Sequence, residues 1–315
     1  MKQKWASTKR PDRSPELHVV IIGGGRVGQT LGRLLSDQGF VIDSVVCRTL
    51  PRAKAARRFT SARRASNRIT TDLFPAARIV FITTPDASIA PTALLLSRLP
   101  VNWEGKIIFH TSGALSSREL GALSTKGARI ASLHPLQTFP SPVEGVKRVK
   151  GIFFTFEGDR GTEAVARKLV RALGGRLVKL EARDRPLYHC AGTFACGALL
   201  APLSVAYELY GKIGIDERTA RAMLKPIVNA TVEVAQNSDL RKTITGPISR
   251  GDAPTIAGHI QALSKVAPQY GTLYRSLSLR LLELVGTSIS KAKSDSIRRL
   301  LTGKSLTGRR RSRRD

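Results

Sequence analysis

Residues 17–48 read LHVVIIGGGRVGQTLGRLLSDQGFVIDSVVCR. The apolar run 17–22 has the character of a buried strand. It meets the glycines Gly23-x-Gly25-x-x-Gly28, then an amphipathic helix pattern to about Asp37 and a second strand over 40–47. Each glycine has its own use. Gly23 permits the tight turn, Gly25 lets backbone approach a pyrophosphate, and Gly28 lets helix and strand pack closely. The first helical turn, with Arg26 and Val27, offers free N–H groups and the positive end of the helix dipole to phosphates. A glycine fingerprint alone is weak, but between strand, helix and strand it predicts a dinucleotide site.

The end of the second strand indicates which dinucleotide. An acid about 20 residues after the glycines would bind a ribose 2′-hydroxyl. This chain has Arg48 there, then Arg52, Lys54, Arg57 and Arg58, with no acid before Asp72. A carboxylate repels a 2′-phosphate, whereas a guanidinium pairs with it bidentately and stacks on adenine. NADP(H) is therefore expected over NAD(H). Asp43, the nearest acid, lies mid-strand, too early for the ribose.

Further apolar runs continue the alternation. Strands are expected at 77–83, 106–110, 129–134, 151–157 and 176–180, and helices at 51–67, 89–99, 117–124 and 162–173, with a proline-rich loop after Phe139. Short connections between alternating elements specify a mostly parallel, doubly wound α/β sheet. From Asp184 onward strand signals nearly vanish. Helices are expected at 187–210, 216–236, 255–266 and 268–285, with Asp216 and Asp252 as N-caps. The expected organisation is a disordered basic segment at 1–15, a dinucleotide-binding domain at 16–181, an all-α domain at 182–290 and a disordered basic tail at 291–315.

The 315 residues carry a formal charge of +29. The segment 1–15 holds +4 and 291–315 holds +8, so +17 remains on the body. A basic tail contacts polyanions weakly at low salt. No helix-turn-helix, zinc or RNP motif accompanies the charge, so nucleic-acid binding is not expected as the function. Cys47, Cys190 and Cys196 form an odd set without metal or disulfide spacing, and no metal site is expected. Residues 1–15 lack a signal-peptide apolar region, so a cytoplasmic setting is expected. The uncharged run 191–207 is short for a membrane span and contains Pro202; a buried helix in the helical domain or at a dimer interface is expected.

In open α/β sheets ligands bind beyond the carboxyl ends of strands. Polar clusters occupy those ends: Thr83-Thr84-Pro85-Asp86, His110-Thr111-Ser112-Gly113 and His134-Pro135-Leu136-Gln137. Two of the chain's five histidines fall there. Tyr188-His189 opens the long uncharged helix. The segment 243–252, TITGPISRGD, combines turn formers with one arginine and one acid; it suits either an anion clamp through Arg250 or a helix connector in which Arg250 and Asp252 pair.

The ordered set GGGRVG, TTPD, HTSGA, SLHPLQTF, YHCAGTFA and TGPISRGD…H resembles the Rossmann-like proteins with a DUF2520 domain, over about 17–284. The resemblance implies kinship with the 6-phosphogluconate dehydrogenase and pyrroline-5-carboxylate reductase superfamily, an often dimeric architecture with the active site between the domains, and NADP-dependent oxidoreductase activity. It carries over His110, Ser112, His134, Gln137, Tyr188, His189, Thr245, Gly246, Pro247, Arg250, Gly251, Asp252 and His259. Where the family usually has Ser-Asn, this chain has Cys196-Gly197, and the related dehydrogenases' lysine is also missing from that helix. The expectation is reduction of a small anionic carbonyl or imine compound. His189 or His134 is the expected proton donor with Tyr188 in reserve, Ser112 and Thr245 bond the reacting atom, Arg250 holds a carboxylate, and Thr84, Pro85 and His110 lie near the nicotinamide. The other expectation is a non-catalytic NADP-binding sensor or scaffold.

Overall fold

A computed structural model describes residues 17–303. The first unit is built on an eight-stranded sheet. In chain order its elements are β1 (His18–Ile22), α1 (Arg26–Asp37), β2 (Val41–Val46), α2 (Leu50–Thr60), β3 (Arg64–Ser66), β4 (Ile79–Ile82), α3 (Ile89–Ser97), β5 (Ile107–His110), α4 (Gly121–Ser124), β6 (Arg129–Pro135), α5 (Pro142–Arg148), β7 (Phe153–Gly158), α6 (Thr162–Ala172), β8 (Arg176–Lys179) and α7 (Arg185–Ala195). The strand order is β3-β2-β1-β4-β5-β6-β7-β8. Every pairing is parallel except β6 with β7.

Period-two alternation explains the double winding. Val19 and Ile21 of β1 belong to one core with Leu31 and Leu35 of α1 and Ala53 and Ala56 of α2. Val20 and Ile22 belong to the opposite core with Ile89, Ala93 and Leu96 of α3. Both faces of the strand are buried, which is why it is an unbroken apolar run.

Two local expectations are corrected. The helix expected over 51–67 ends at Thr60, because Ser61 turns left-handed (φ 56°), and the chain then forms β3 beside β2. The loop expected after Phe139 contains α5: Ser141 caps it by accepting from the Glu144 N–H, and Pro142 sits in its first turn, where a missing N–H costs nothing.

The second unit comprises α8 (Gly197–Lys212), α9 (Glu217–Asn237), α10 (Leu240–Thr243), α11 (Pro247–Arg250), α12 (Ala253–Val266), α13 (Gly271–Val285) and α14 (Lys291–Thr302). The division between units falls between Cys196 and Gly197, later than the expected 181/182. The long helix expected over 187–210 breaks at that point: Cys196 has φ −126° and ψ −84°. Asp216 and Asp252 cap α9 and α12 as expected, accepting from the N–H groups of Thr219 and Thr255. The disordered tail expected from 291 is corrected for 291–302. Ile297 and Leu301, one turn apart, are buried in a core with Ile248, Ile256, Leu282 and Val285, and burial of that stripe outweighs the helix's positive charge. The remainder of the tail and residues 1–15 lie outside the described residues.

Candidate functional site

Register places the polar clusters on one edge. Ile22 pairs with Ile82, Ile82 with His110, and His110 with Ser132. The glycine turn and the segments following β4, β5 and β6 therefore emerge together at the carboxyl ends of parallel strands, where open α/β sheets bind ligands.

Gly23 adopts φ +108°, and a Cβ there would lie 2.7 Å from the Thr83 carbonyl carbon. A Cβ on Gly28 would lie 2.3 Å from the Gly23 carbonyl oxygen. Both positions are closed by backbone. Gly25 differs, since nothing lies within 4 Å of its added Cβ. It is the N-cap residue of α1, with no side-chain cap and no acid in the first turn. The start of α1 therefore carries neither a side-chain cap nor an acid beside the open space at Gly25, as a pyrophosphate requires. Thr84 Oγ1 is buried without a hydrogen-bond partner, and its backbone is packed against Gly23.

Arg48 is exposed at the end of β2, and Arg52 is exposed in the first turn of α2, which carries no acid. Lys54, Arg57, Arg58 and Ala65 line a hollow of about 250 Å³. Asp43 contacts the His18 ring at 2.9 Å and Arg63 at 3.6 Å. This surface suits a phosphomonoester and offers no carboxylate to a free ribose hydroxyl.

His110 is fully buried. Its Nε2 donates to the Ser116 carbonyl at 3.0 Å, and its Nδ1 accepts from the Ser112 N–H at 3.2 Å. Only the neutral ring satisfies both partners, and burial lowers its pKa to about 4. Both ring nitrogens of His110 are thus engaged by the loop after β5. Ser112 is also engaged: Oγ donates to Asp86 at 2.9 Å and accepts from the N–H groups of Ala114 and Leu115.

His134, on β6, has its Nδ1 2.8 Å from the Tyr188 hydroxyl of α7. The rings meet edge to face at 5.7 Å, and the His189 ring stands 6.2 Å from His134. Burial, reinforced by His189 and Arg185, lowers the His134 pKa to about 4. Burial raises the Tyr188 phenol above its ordinary value. Gly113 makes room for these rings: a Cβ there would come within 2.9 Å of His134 Nε2 and 2.8 Å of His189 Cδ2.

One residue of the cluster escaped the sequence reading. Arg185 is fully buried. Its Nε donates to Glu157 at 3.2 Å, and its Nη1 donates to the Ser112 and Gly113 carbonyls at 3.1 and 3.2 Å. Glu157 also accepts from the N–H and hydroxyl of Ser117. The pair pins together β7, α7 and the loop after β5. Removing one partner of such a buried pair costs about 3–5 kcal/mol. A single arginine among 52 lysines and arginines gives no sign of burial; its place immediately before Pro186 at a helix start was the available clue.

Thus His110, Ser112, His134, Tyr188 and His189 come together in the first unit. Thr245, Arg250 and Asp252 belong to the second. There Asp252 caps α12, accepting from Thr255 N and Oγ1 at 3.1 and 2.7 Å, and the Arg250 carbonyl accepts from Lys293 Nζ at 3.1 Å. His259 Nδ1 lies 2.9 Å from the Tyr274 hydroxyl. No three of His, Cys, Asp and Glu converge on a metal geometry among the described residues.

Comparison with known proteins agrees with this architecture. A family model described as a Rossmann-like domain matches residues 3–135, and the domain of unknown function DUF2520 matches 152–281. No curated protein matches the sequence. Among solved structures, BF3122 from Bacteroides fragilis is 23% identical, with TM-score 0.67 over 85% of this chain and 98% of that one. A reductive aminase from Aspergillus terreus, in complex with NADPH and ethyl-5-oxohexanoate, is 16% identical, with TM-score 0.63 over 90% and 99%. A Plasmodium falciparum pyrroline carboxylate reductase with NADP bound is 12% identical, with TM-score 0.54 over 90% and 98%. These likenesses are of fold.

Proposed function

We propose that this chain, a Rossmann-like protein with a DUF2520 domain, is an NADPH-dependent oxidoreductase that reduces a small anionic carbonyl or imine compound. The observation that carries the reading is a half-buried imidazole–phenol pair, His134 and Tyr188, on the same sheet edge as an open glycine turn whose second strand ends in Arg48. The NADPH and NADP in the fold neighbours support the cofactor.

The residues fit that cofactor. Gly25 leaves the cradle a Cβ would fill, the first turn of α1 offers uncapped N–H groups, and Arg48 and Arg52 suit the 2′-phosphate. When bound, NADPH supplies the hydride. The chain's own residues supply position and the proton. His134 is neutral near pH 7 and orients the Tyr188 hydroxyl, which retains its proton there and is the donor to the reacting atom. Ser112 and His110 hold the loop beneath this pair. The polar pair gives the sensor alternative less support, since a scaffold needs no half-buried phenol poised on an imidazole. Substrate-dependent loss of NADPH absorbance, with a panel of oxo acids and cyclic imines, tests the reading; a panel without turnover opposes it.

We further propose that the partner is a second copy of the chain. The stretch Ala182–Lys212 is long and apolar enough to cross a membrane, its most apolar 18-residue window having a mean hydropathy of 1.5, yet none of that window is buried. Leu200 is 64% exposed, Ile213 71% and Ile227 62%. The break at Cys196 and the charges of Glu208, Lys212 and α9 suit a protein partner rather than lipid. Light scattering on the full chain is expected to give a dimer, and Leu200→Glu to shift it toward monomer. A monomeric wild type contradicts the proposal.

A further inference from the structure

We infer that the site in the first unit is built to stabilise negative charge developing on a substrate oxygen, so that its substrates are carbonyl compounds rather than protonated imines, with Arg185 the positioning residue that sets this preference. The inference rests on the reductase reading above and narrows it.

Buried Arg185 and half-buried Glu157 hold each other in one orientation. Glu157 faces the Nε edge of Arg185 and the two Ser117 donors, so its oxygens are spent there. The Nη1 edge faces the Ser112 and Gly113 carbonyls. Nη2 is buried with no hydrogen-bond partner. The ion pair is therefore a fixed dipole. Arg185 lies one turn before Tyr188 on α7, and its positive charge acts on Tyr188 and on His134, while the Glu157 oxygens are turned to Arg185 Nε and Ser117.

The remaining neighbours do not cancel it. His189 and His110 also disfavour a positive charge on His134. Asp86 acts at His110 and hydrogen-bonds Ser112 Oγ, and it is exposed. No carboxylate contacts the His134–Tyr188 pair among the described residues of this unit.

The two reductions make opposite demands. Reducing a carbonyl places the hydride supplied by NADPH on carbon and the π pair on oxygen. That oxygen takes the Tyr188 proton, leaving an alcohol and NADP⁺, and the phenol regains a proton from solvent. Negative charge builds on the oxygen and on the phenol, and a positive dipole end stabilises both. A protonated imine enters as a cation and loses its charge on reduction. The same dipole end opposes its binding and gives it no compensating gain, whereas a carboxylate would hold it.

The test uses the full chain, with NADPH oxidation followed at neutral pH for pyruvate and 2-oxobutyrate against 1-pyrroline and 1-pyrroline-2-carboxylate. The expected result is kcat/KM at least about tenfold higher for the better carbonyl than for the better imine. Imine turnover equal to or above carbonyl turnover overturns this inference and leaves the reductase reading standing. Turnover of neither class by protein that binds NADPH overturns both.

A second readout is independent of turnover. In histidine-resolved NMR, the His134 titration midpoint is expected to rise in Arg185→Gln, because the mutation removes a charge that disfavours imidazolium, and to stay near wild type in Arg185→Lys. Equal midpoints in all three proteins would show that Arg185 is structural only. Should Arg185→Gln fail to fold, the substrate comparison on the unmodified protein decides the matter.

Discussion

Tyr188→Phe is expected to lower turnover by about a hundredfold or more, the scale of a positioned general acid, while leaving NADPH affinity within about twofold. The change removes one oxygen and keeps the ring that packs edge to face on His134. Two features single this oxygen out. It lies 2.8 Å from a ring nitrogen that orients it, and burial keeps the phenol protonated at working pH. His134 cannot take the part. With a pKa of about 4 it is neutral near pH 7, and a neutral imidazole is a poor acid; with its Nδ1–H donating to the phenol oxygen, the phenol keeps its own proton for the reacting atom. His134→Gln should therefore be milder than Tyr188→Phe, since an amide can still position the hydroxyl. Turnover unchanged in Tyr188→Phe would remove the phenol from the chemistry and return attention to exposed His189.

A matched pair of glycine variants should separate binding from folding. Gly25→Ala is expected to fold as the wild type does, because its methyl meets nothing within 4 Å and its φ of −80° suits any residue. The same methyl occupies the space a pyrophosphate needs, so NADPH affinity should fall by about tenfold or more, or about 1.4 kcal/mol. Gly28→Ala should do the reverse. Its methyl would sit 2.3 Å from the Gly23 carbonyl oxygen. Backbone cannot yield as a flexible side chain does, so overpacking of about 1–3 kcal/mol or more should lower the thermal midpoint by several degrees. Calorimetry and a binding titration on both variants check the contrast. A Gly25→Ala protein that binds NADPH normally would place the cofactor elsewhere.

Physical reasons divide what the sequence made legible from what it hid. The β1–α1–β2 unit was readable because three glycines and two apolar runs constrain one another. β4 and β5 were readable because strands buried on both faces are unbroken apolar runs. β3 was not, since three exposed or half-buried residues at a sheet edge, one of them an arginine, carry no periodicity. α5 did carry a signal, Ser141-x-x-Glu144, overshadowed by the neighbouring prolines. Charge misled at α14, where Ile297 and Leu301 form a four-residue apolar step among basic residues. The polar strand ends announced His110, Ser112 and His134, but not their division of labour. That His110 and Ser112 are consumed by backbone and Asp86, while His134 orients a phenol, is decided by tertiary contacts. Arg185 is the clearest case: its chemistry depends wholly on burial and on Glu157, 28 residues earlier.

The central claim is that the glycine turn and Arg48 hold NADPH. The most direct measurement is a calorimetric titration of the full chain with NADPH and, separately, with NADH. Binding of NADPH at least about tenfold tighter than NADH, a difference of about 1.4 kcal/mol carried by the 2′-phosphate, with the preference lost in Arg48→Ala, is the predicted result. Equal affinities would make Arg48 incidental, and binding of neither would contradict the account at its root.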